Sequence, residues 1–206
     1  IFSGCSAGQV VELDAAGSGR LRLDIRLDPV FSAYLTDVGV GLGGEEEAPL
    51  FDLAAVDAAF ESRPGLELLS AVSPERDRLV LDIAFSSVEE VLAVEGHELT
   101  RFIRFERTQS FRRVAAEIDR RAVEHFVGLG GIDPVVVDSL MPPDEEMSER
   151  EYREHLAWAL EEYADERPLD LVFRESVIST EIAPAGSIVR TDGGIVTDGR
   201  VRFDTS

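Results

Sequence analysis

The three histidines of this sequence, His97, His125 and His155, are its first candidates for chemistry. Glu124 adjoins His125 and Glu151 lies four residues before His155, so two antiparallel helices could bring an imidazole pair and carboxylates to one metal ion. The helical ligand motif His-Glu-x-x-His does not occur, and histidines outside such a motif are usually ordinary surface or hydrogen-bonded residues. The sequence therefore predicts neither a metal site nor a cofactor.

Two runs of carboxylates could hold a hard cation such as Ca²⁺. They are residues 45–47 (Glu-Glu-Glu) and residues 144–146 (Asp-Glu-Glu). A dedicated calcium loop alternates its acidic ligands and has a glycine at a sharp turn, and neither run has that spacing. Both are therefore interpreted as solvated charge runs.

Nucleophilic and phosphate-binding chemistry have weak signals. No histidine is paired locally with an acid at the end of a predicted strand, although a triad can assemble from distant residues. The glycines of residues 39–44 lack the lysine of a phosphate-binding loop, and those of residues 128–131 follow a predicted helix instead of opening one. The sequence favours a non-catalytic protein, with a hydrolase or a metal-dependent enzyme as a less favoured alternative.

Cys5 is the only cysteine among 206 residues, so it cannot form an intramolecular disulfide. It ends the stretch Phe2-Ser3-Gly4-Cys5, which resembles the bacterial lipobox: an apolar residue three places before the cysteine, followed by two small residues. That family usually has leucine where this chain has Phe2. The resemblance implies that residues 1–8 are a signal-peptide remnant and a short tether, and that Cys5 becomes the first residue of the mature protein.

A lipobox cysteine carries diacylglycerol on its thiol and usually an acyl chain such as palmitate on its amine. Two or more chains give stable membrane anchoring, whereas one gives only marginal binding. Ser6 after the cysteine resembles the form sorted to the outer membrane. The resemblance thus implies a cell-envelope lipoprotein, periplasmic or on the outer-membrane surface. The alternative is an unmodified Cys5 in a disordered tail.

The charge balance argues against anionic partners. There are 41 acidic and 20 basic residues, and the net charge is -21. Nucleic acids and anionic membrane surfaces both require a positive field, so neither is an expected partner of the protein surface. The sequence has no run of about 18 apolar residues, the length that spans a bilayer. The expected route to a membrane is therefore the lipid on Cys5.

Three apolar residues are candidates for binding a ligand: Val136, Leu140 and Trp158. Val136 and Leu140 lie in an apolar run without clear amphipathicity, and Trp158, the only tryptophan, lies off the apolar stripe of its predicted helix. A cleft lined by these residues could take a lipid tail or a partner helix. The alternative for Trp158 is that it covers the edge of the core.

The elements that must position these residues begin with a hairpin of residues 9–14 and 20–27, whose second strand alternates apolar and charged residues. Asp28-Pro29 predicts the N-cap and first position of a helix, and a second helix places Leu53, Val56 and Phe60 inward. Further elements are predicted strands at 66–69, 79–85 and 99–106, with a short helix capped by Ser86 and Glu89 before the last. This order predicts an α+β fold with an antiparallel sheet and a ferredoxin-like, split β-α-β core.

The later part predicts a helical insertion at residues 109–165 within one domain of residues 9–206. The insertion contains a long helix from Gln109, a short apolar piece at 134–141 and a helix capped by Ser148 and Glu151. A C-terminal β segment follows, with sheet signals at 169–173, 188–189, 195–196 and 201–203. Asp198-Gly199 is typical of a hairpin turn.

The order of these elements also resembles the LppM-type domain of bacterial envelope lipoproteins. The resemblance rests on the Gly-Ser-Gly turn at 17–19, the helix after Asp28-Pro29, the strand pair 66–72 and 78–85, and Ala-Pro-Ala-Gly at 183–186 before Thr-Asp-Gly-Gly at 191–194. It covers about residues 9–95 and 168–204. It implies an envelope location and supplies no catalytic residues.

These observations lead to one main hypothesis and one alternative. The main hypothesis is a lipid-anchored, non-catalytic module that binds an apolar or amphipathic ligand or an envelope partner. The alternative is a structural or host-facing surface lipoprotein that acts through protein contacts.

Overall fold

The structure is a computed structural model that describes residues 5–61, 63–88, 103–108, 111–116, 147–164 and 167–205. It is an α+β fold with a seven-stranded mixed sheet, a separate two-stranded sheet and four described α-helices. The strands are β1 (Ser6–Leu13), β2 (Gly19–Arg26), β3 (Leu66–Glu75), β4 (Arg78–Phe85), β5 (Ile103–Arg107), β6 (Arg112–Ala116), β7 (Val177–Pro184), β8 (Ile195–Thr197) and β9 (Arg200–Thr205). The helices are α1 (Pro29–Gly41), α2 (Leu53–Glu61), α3 (Glu149–Leu160) and α4 (Leu169–Glu175), with a 3-10 turn at Glu161–Tyr163.

The large sheet has the strand order β3-β4-β2-β1-β7-β9-β8. Its neighbouring strands are antiparallel except β1 and β7, which are parallel. The prediction of an antiparallel sheet is therefore wrong at its centre. Parallel neighbours need a crossover connection, and here the chain between β1 and β7 includes helices that provide one.

The ferredoxin-like plan is not confirmed. The strands β2 and β3 flank β4 and are both antiparallel to it, as a split β-α-β unit requires. The predicted fourth strand does not complete that unit, because β5 pairs with β6 in the two-stranded sheet and β1 lies beside β2 instead.

Residues 6–8, predicted to be a tether, belong to β1. Ser6 is aligned with Arg26 of β2 and Val177 of β7, so the chain is paired on both sides from this residue onward. The pairing satisfies backbone donors and acceptors that a tether would leave to water. Cys5 therefore lies directly at the edge of the folded domain.

The predicted helix starts are confirmed at both caps. The Asp28 carboxylate accepts from the backbone N–H of Val30, with Pro29 at the first turn of α1. At α3, the Glu151 N–H donates to Ser148 Oγ while Ser148 N–H donates to Glu151 Oε2, which is a complete capping box. The second predicted helix is confirmed as α2, with Val56 and Phe60 buried.

The predicted long helix from Gln109 is wrong at residues 112–116, which form β6. The apolar spacing from Phe111 to Ile118 fits a helix, but the hairpin register aligns Val114 with Phe105 and Arg113 with Glu106. The pairing with β5 therefore decides the structure of this segment. The helical spacing of its apolar residues is weak evidence for a helix, because it extends over only a few residues. The rest of that predicted helix, to Phe126, lies outside the described residues, as do Glu89 of the predicted cap and the apolar piece 134–141.

The C-terminal β segment is confirmed for β8 and β9 and corrected elsewhere. Residues 169–173 form α4, because Leu169, Val172 and Phe173 follow a helical spacing and all contact other helices. Residues 188–189 are not in a strand, whereas β7 was not predicted. Asp198 and Gly199 both have positive φ, 51° and 76°, which makes the predicted two-residue turn between β8 and β9.

Two groups of buried residues organise the packing. The sheet cluster joins α2 and the chain before it to β4, through Phe51, Val56, Phe60, Leu79, Leu81 and Ile83. The helix cluster joins α1, α3 and α4, through Val30, Leu156, Leu160 and Val172. Tyr152 and Tyr163 pack against the helix cluster, so the predicted apolar stripe of α3 is confirmed.

Candidate functional site

Cys5 is held by three hydrogen bonds at one end of the large sheet. Its N–H donates to Ser176 Oγ over 3.1 Å, and its carbonyl accepts from the N–H of Val177 over 2.9 Å. Its Sγ accepts from the N–H of Asp28, the N-cap of α1, over 3.3 Å. The side chain is half-buried. Cys5 therefore occupies a defined position and does not lie in a disordered tail.

The surroundings of the Cys5 thiol disfavour its thiolate form. Burial raises the pKa of the Cys5 thiol to about 11; the hydrogen bond from Asp28 opposes this shift and the negative charge of Asp28 adds to it. The thiolate is the reactive form of cysteine, so a thiol with such a pKa is a poor nucleophile near pH 7. This geometry does not suit a catalytic or redox-active cysteine.

The polar groups beside Cys5 form a network in which only Asp28 is fully buried. Asp28 is 1% exposed, and its Oδ2 accepts from Arg167 Nη1. Arg167 also donates from Nη2 to Glu175 Oε2 over 2.9 Å. A buried carboxylate needs such a charged partner, because desolvation otherwise costs more than the fold can offset. The network thus fixes the N-cap of α1 against the segment before α4, and the N–H of Asp28 holds the Cys5 sulfur beside that cap.

An apolar row crosses the whole large sheet. Its seven members are aligned strand by strand in the register, and they are Leu68, Ile83, Leu21, Val11, Ile182, Val201 and Val196. Residues aligned between neighbouring strands point to the same face of a sheet. The row is therefore one continuous aliphatic band across seven strands.

Only part of the apolar row is covered by α2. Leu68, Ile83 and Leu21 belong to the sheet cluster or pack against it. Among the described residues, the two clusters include none of the other four members. Val201 is buried, Val196 at the end of the row is 48% exposed, and Ile178, four residues before Ile182 on the same face of β7, is 37% exposed. An apolar half-face on β1, β7, β9 and β8 thus extends beyond the helix that covers the rest.

The opposite face of the sheet is charged. Arg20 binds Asp82, and Arg78 binds Asp24 through two nitrogen atoms at 2.7 and 2.9 Å. These contacts lower the pKa of Asp24, chiefly through the hydrogen bonds from Arg78, and lower the pKa of Asp82 chiefly through those from Arg20. The part of the sheet formed by β2 and β4 therefore has one charged, solvent-facing side and one apolar side, as the alternation in β2 predicts.

Trp158 projects from α3 into solvent. Its side chain is 72% exposed, with the His155 ring at a centroid distance of 6.2 Å. Covering the edge of the core is therefore not its role in the described structure. Val136 and Leu140 lie outside the described residues, so the predicted cleft of these three residues stays a prediction.

Of the three histidines, His155 is the one that lies in the described part of the chain. It is half-buried on α3, whereas His97 and His125 lie outside the described residues. Within the described segments, no three His, Cys, Asp or Glu side chains are grouped as metal ligands. The carboxylates at 45–47 are exposed, in a loop after α1.

A further sequence pattern lies at the start of β1 and was not predicted. Gly-Cys-Ser-Ala-Gly at residues 4–8 has the letters of the nucleophile-elbow pattern Gly-x-Ser-x-Gly. That elbow places its serine at a sharp turn from a strand into a helix. Ser6 is instead the first residue of the eight-residue strand β1, so the letters carry no elbow.

Comparisons with other proteins add no assignment. No helix in the described part of the chain combines the length and the apolar character that a membrane crossing needs. The resemblances to the lipobox and to the LppM-type domain stay predictions. No protein-family model matches the chain, and comparison with curated proteins and with solved structures gave no match.

Proposed function

We propose that this protein is a non-catalytic binding module of the bacterial cell envelope, anchored by a lipid on Cys5, whose ligand is an apolar chain such as a fatty acyl group. The ligand would lie on the apolar half-face of β1, β7, β9 and β8. The scaffold would be a divergent ferredoxin-like unit of β2, β3 and β4, extended by the other four strands.

The contacts of Cys5 are compatible with lipidation. An acylated amine keeps one N–H, so the hydrogen bond to Ser176 Oγ can persist. A thioether sulfur remains a weak acceptor for the N–H of Asp28. Cys5 as a residue is half-buried, and a lipid on its sulfur would have to lead from there to solvent. A lipid there would hold this end of the sheet directly at the membrane, since β1 begins at the next residue.

The observation that carries the ligand class is the continuation of the apolar row past α2. Val196 and Ile178 expose apolar surface at this end of the sheet, whereas Val201 on the strand between them is buried. Exposed apolar surface of this kind marks a site for a ligand or a partner. The half-face is lined by aliphatic residues and lacks a cationic row, which suits an acyl chain. By contrast, the charged opposite face is already engaged in its own ion pairs.

Intact mass spectrometry of the full-length protein purified from native membranes tests the anchor. We expect a mass that includes a diacylglyceryl group and an acyl chain, and release of the Cys5→Ser variant from the membrane fraction. An unmodified Cys5 in membrane-purified protein would refute the anchor.

A matched pair of variants in β8 tests the ligand site. Val196 belongs to the apolar row, whereas its neighbour Ile195 is 71% exposed on the other face of the same strand. We expect Val196→Ser to weaken binding of a fluorescent fatty acid by about threefold to tenfold, since a buried methylene contributes about 0.8 kcal/mol. Ile195→Ser should bind like the wild type. No saturable binding, or equal loss in both variants, would contradict the proposal.

The alternative is a surface lipoprotein that acts through protein contacts. One observation favours it: β8 is an edge strand of three exposed residues, and an edge strand can pair with a strand of another protein. Under this alternative, Ile195→Pro would abolish binding of the partner, and the protein would show no saturable binding of the fluorescent fatty acid.

A further inference from the structure

A cleft of about 510 Å³ lies beside α1, away from the apolar row. Its walls come from four parts of the chain: α1, the loop after α1, the β3–β4 turn and the 3-10 turn after α3. The lining residues are Ser32, Ala33, Thr36, Asp37, Val40, Glu46, Arg76, Asp77 and Tyr163. The volume falls within the range of about 300–1,000 Å³ typical of small-molecule sites.

The ionisable groups around the cleft are mainly negative. Asp37, Glu46 and Asp77 supply three carboxylates, and Arg76 supplies one guanidinium. Arg76 is engaged locally, because its Nη2 donates to the backbone carbonyl of Glu46. This arrangement attracts cations, and the net charge of -21 strengthens the attraction over longer distances.

Asp37 is held in place as an acceptor. The hydroxyl of Tyr163 donates to Asp37 Oδ2 over 2.7 Å, and the Tyr163 ring is fixed by an edge contact with Tyr34 at a centroid distance of 5.6 Å. This hydrogen bond is the main cause of the raised pKa of Tyr163, so the phenol stays protonated and keeps donating. A carboxylate accepts about four hydrogen bonds, which leaves Asp37 able to bind an external donor.

The cleft also has apolar and hydroxyl surface. Val40 is exposed beside it, and Ala33 contributes a methyl group. Ser32 Oγ is buried and has no hydrogen-bond partner among the described residues, which is unusual for a polar atom in a folded protein. The site thus offers carboxylate acceptors, a hydroxyl lacking a partner and a short apolar wall.

We propose that this cleft binds a small organic cation: a protonated amine with a short apolar body. The ammonium group would be accepted by Asp37 and Asp77, and the alkyl part would lie against Val40 and the Tyr163 ring. This site is separate from the proposed apolar face and does not depend on lipidation of Cys5.

Titration of the isotopically labelled full-length chain with butylammonium, followed by NMR, tests the site. The matched neutral probe is 1-butanol, and both titrations are done at 150 mM NaCl to suppress diffuse attraction. We expect saturable amide shifts at Thr36, Asp37 and Asp77 with butylammonium and none with 1-butanol at equal concentration.

Three variants separate a specific site from general attraction to an acidic protein. Asp37→Asn and Asp77→Asn each remove one carboxylate from the cleft, and Asp57→Asn removes one from the exposed face of α2. We expect each cleft variant to weaken binding by about threefold to fivefold, as an exposed ion pair contributes up to about 1 kcal/mol, and the Asp57 variant to bind like the wild type. If one cleft variant fails to fold, the other carries the test.

Two results would overturn this inference. The first is the absence of saturable shifts in the cleft. The second is equal weakening in the folded cleft variants and in the Asp57 variant, which would show that butylammonium responds only to net charge. Loss of fatty-acid binding in the Val196 variant has no bearing on either result.

Discussion

The guanidinium of Arg167 binds the carboxylate of Asp28, which lies 139 residues earlier in the chain and is almost fully buried. The same carboxylate caps α1, and the backbone N–H of Asp28 donates to Cys5 Sγ. Asp28 therefore joins three parts of the protein: its carboxylate holds the first helix and the segment before α4, and its backbone N–H holds Cys5. Disrupting it should affect all three.

Replacing Asp28 with alanine should destabilise the protein by about 1–3 kcal/mol, because Arg167 would lose its buried partner and keep only the more exposed Glu175. The loss of the helix cap adds about 1 kcal/mol. Urea denaturation followed by circular dichroism measures the change in the free energy of unfolding.

Glu175→Gln is the control for that substitution. Glu175 also binds Arg167 but is considerably more exposed than Asp28, so its loss should cost less than about 1 kcal/mol. Equal destabilisation by the two variants would show that the burial of Asp28 is not what makes its ion pair important.

The Cys5 thiol should react slowly in the folded, unlipidated protein. With a pKa of about 11 instead of 9.0, the thiolate fraction at pH 8 falls about 100-fold. Alkylation by iodoacetamide at pH 8 should be correspondingly slow in buffer and fast in urea, as mass spectrometry can follow. Similar rates in both conditions would mean that Cys5 is not held against Asp28.

The same pKa shift predicts an alkaline loss of stability. A thiol whose pKa is higher in the folded state stabilises that state below pH 9 and loses this contribution as the pH rises toward 11. The melting temperature of the wild type should therefore decline more steeply over this interval than that of Cys5→Ser. Parallel declines would contradict the shift.

The two sides of α3 should respond differently to truncation. Leu160 is fully buried in the helix cluster, so Leu160→Ala should cost about 2–5 kcal/mol. Trp158→Ala should change the free energy of unfolding by less than about 0.5 kcal/mol, since that side chain faces water. Urea denaturation of both variants gives the comparison, and a large cost for Trp158→Ala would mean that it packs on the core.

Acid should weaken the charged face of the sheet. Asp24 and Asp82 have folded-state pKa values below the ordinary 3.8, so their ion pairs stabilise the fold above that pH and are lost as the pH falls through the lowered values. The melting temperature should drop between pH 5 and pH 2, and the drop should be smaller in Asp24→Asn. Asp57→Asn, on the surface of α2, should retain the full drop; if it matches Asp24→Asn, the ion pair is not the cause.

Local signals in the sequence were sufficient for single elements, such as strand β2 and the starts of helices α1 and α3. The alternation in β2 and the caps at Asp28 and Ser148 each depend on residues within a few positions, so the sequence contains all that is needed to read them. The short runs at 112–116 and 169–173 fit both a strand and a helix. Their state is decided by the neighbours with which they pair, which lie elsewhere in the chain.

The environment of Cys5 could not be predicted for a similar reason. Its uniqueness singles it out from composition alone, but Ser176 is 171 residues away in the chain. The parallel pairing of β1 with β7 brings them together, and no local pattern specifies which strands of a sheet are neighbours. The apolar row could not be predicted either. Three of its members lie in β7, β8 and β9, and their alignment with the earlier strands depends on the pairing of β1 with β7.

The central place of β1 has a consequence for how the protein folds. The strand at the start of the chain needs β7 as its second neighbour, and β7 begins only at Val177. During folding, β1 can form its hairpin with β2 early, but the other side of β1 stays unpaired until residues 177–184 are in place. Completion of the sheet is therefore a late event that depends on contacts distant in the chain, and Cys5 acquires its partner Ser176 only at that stage.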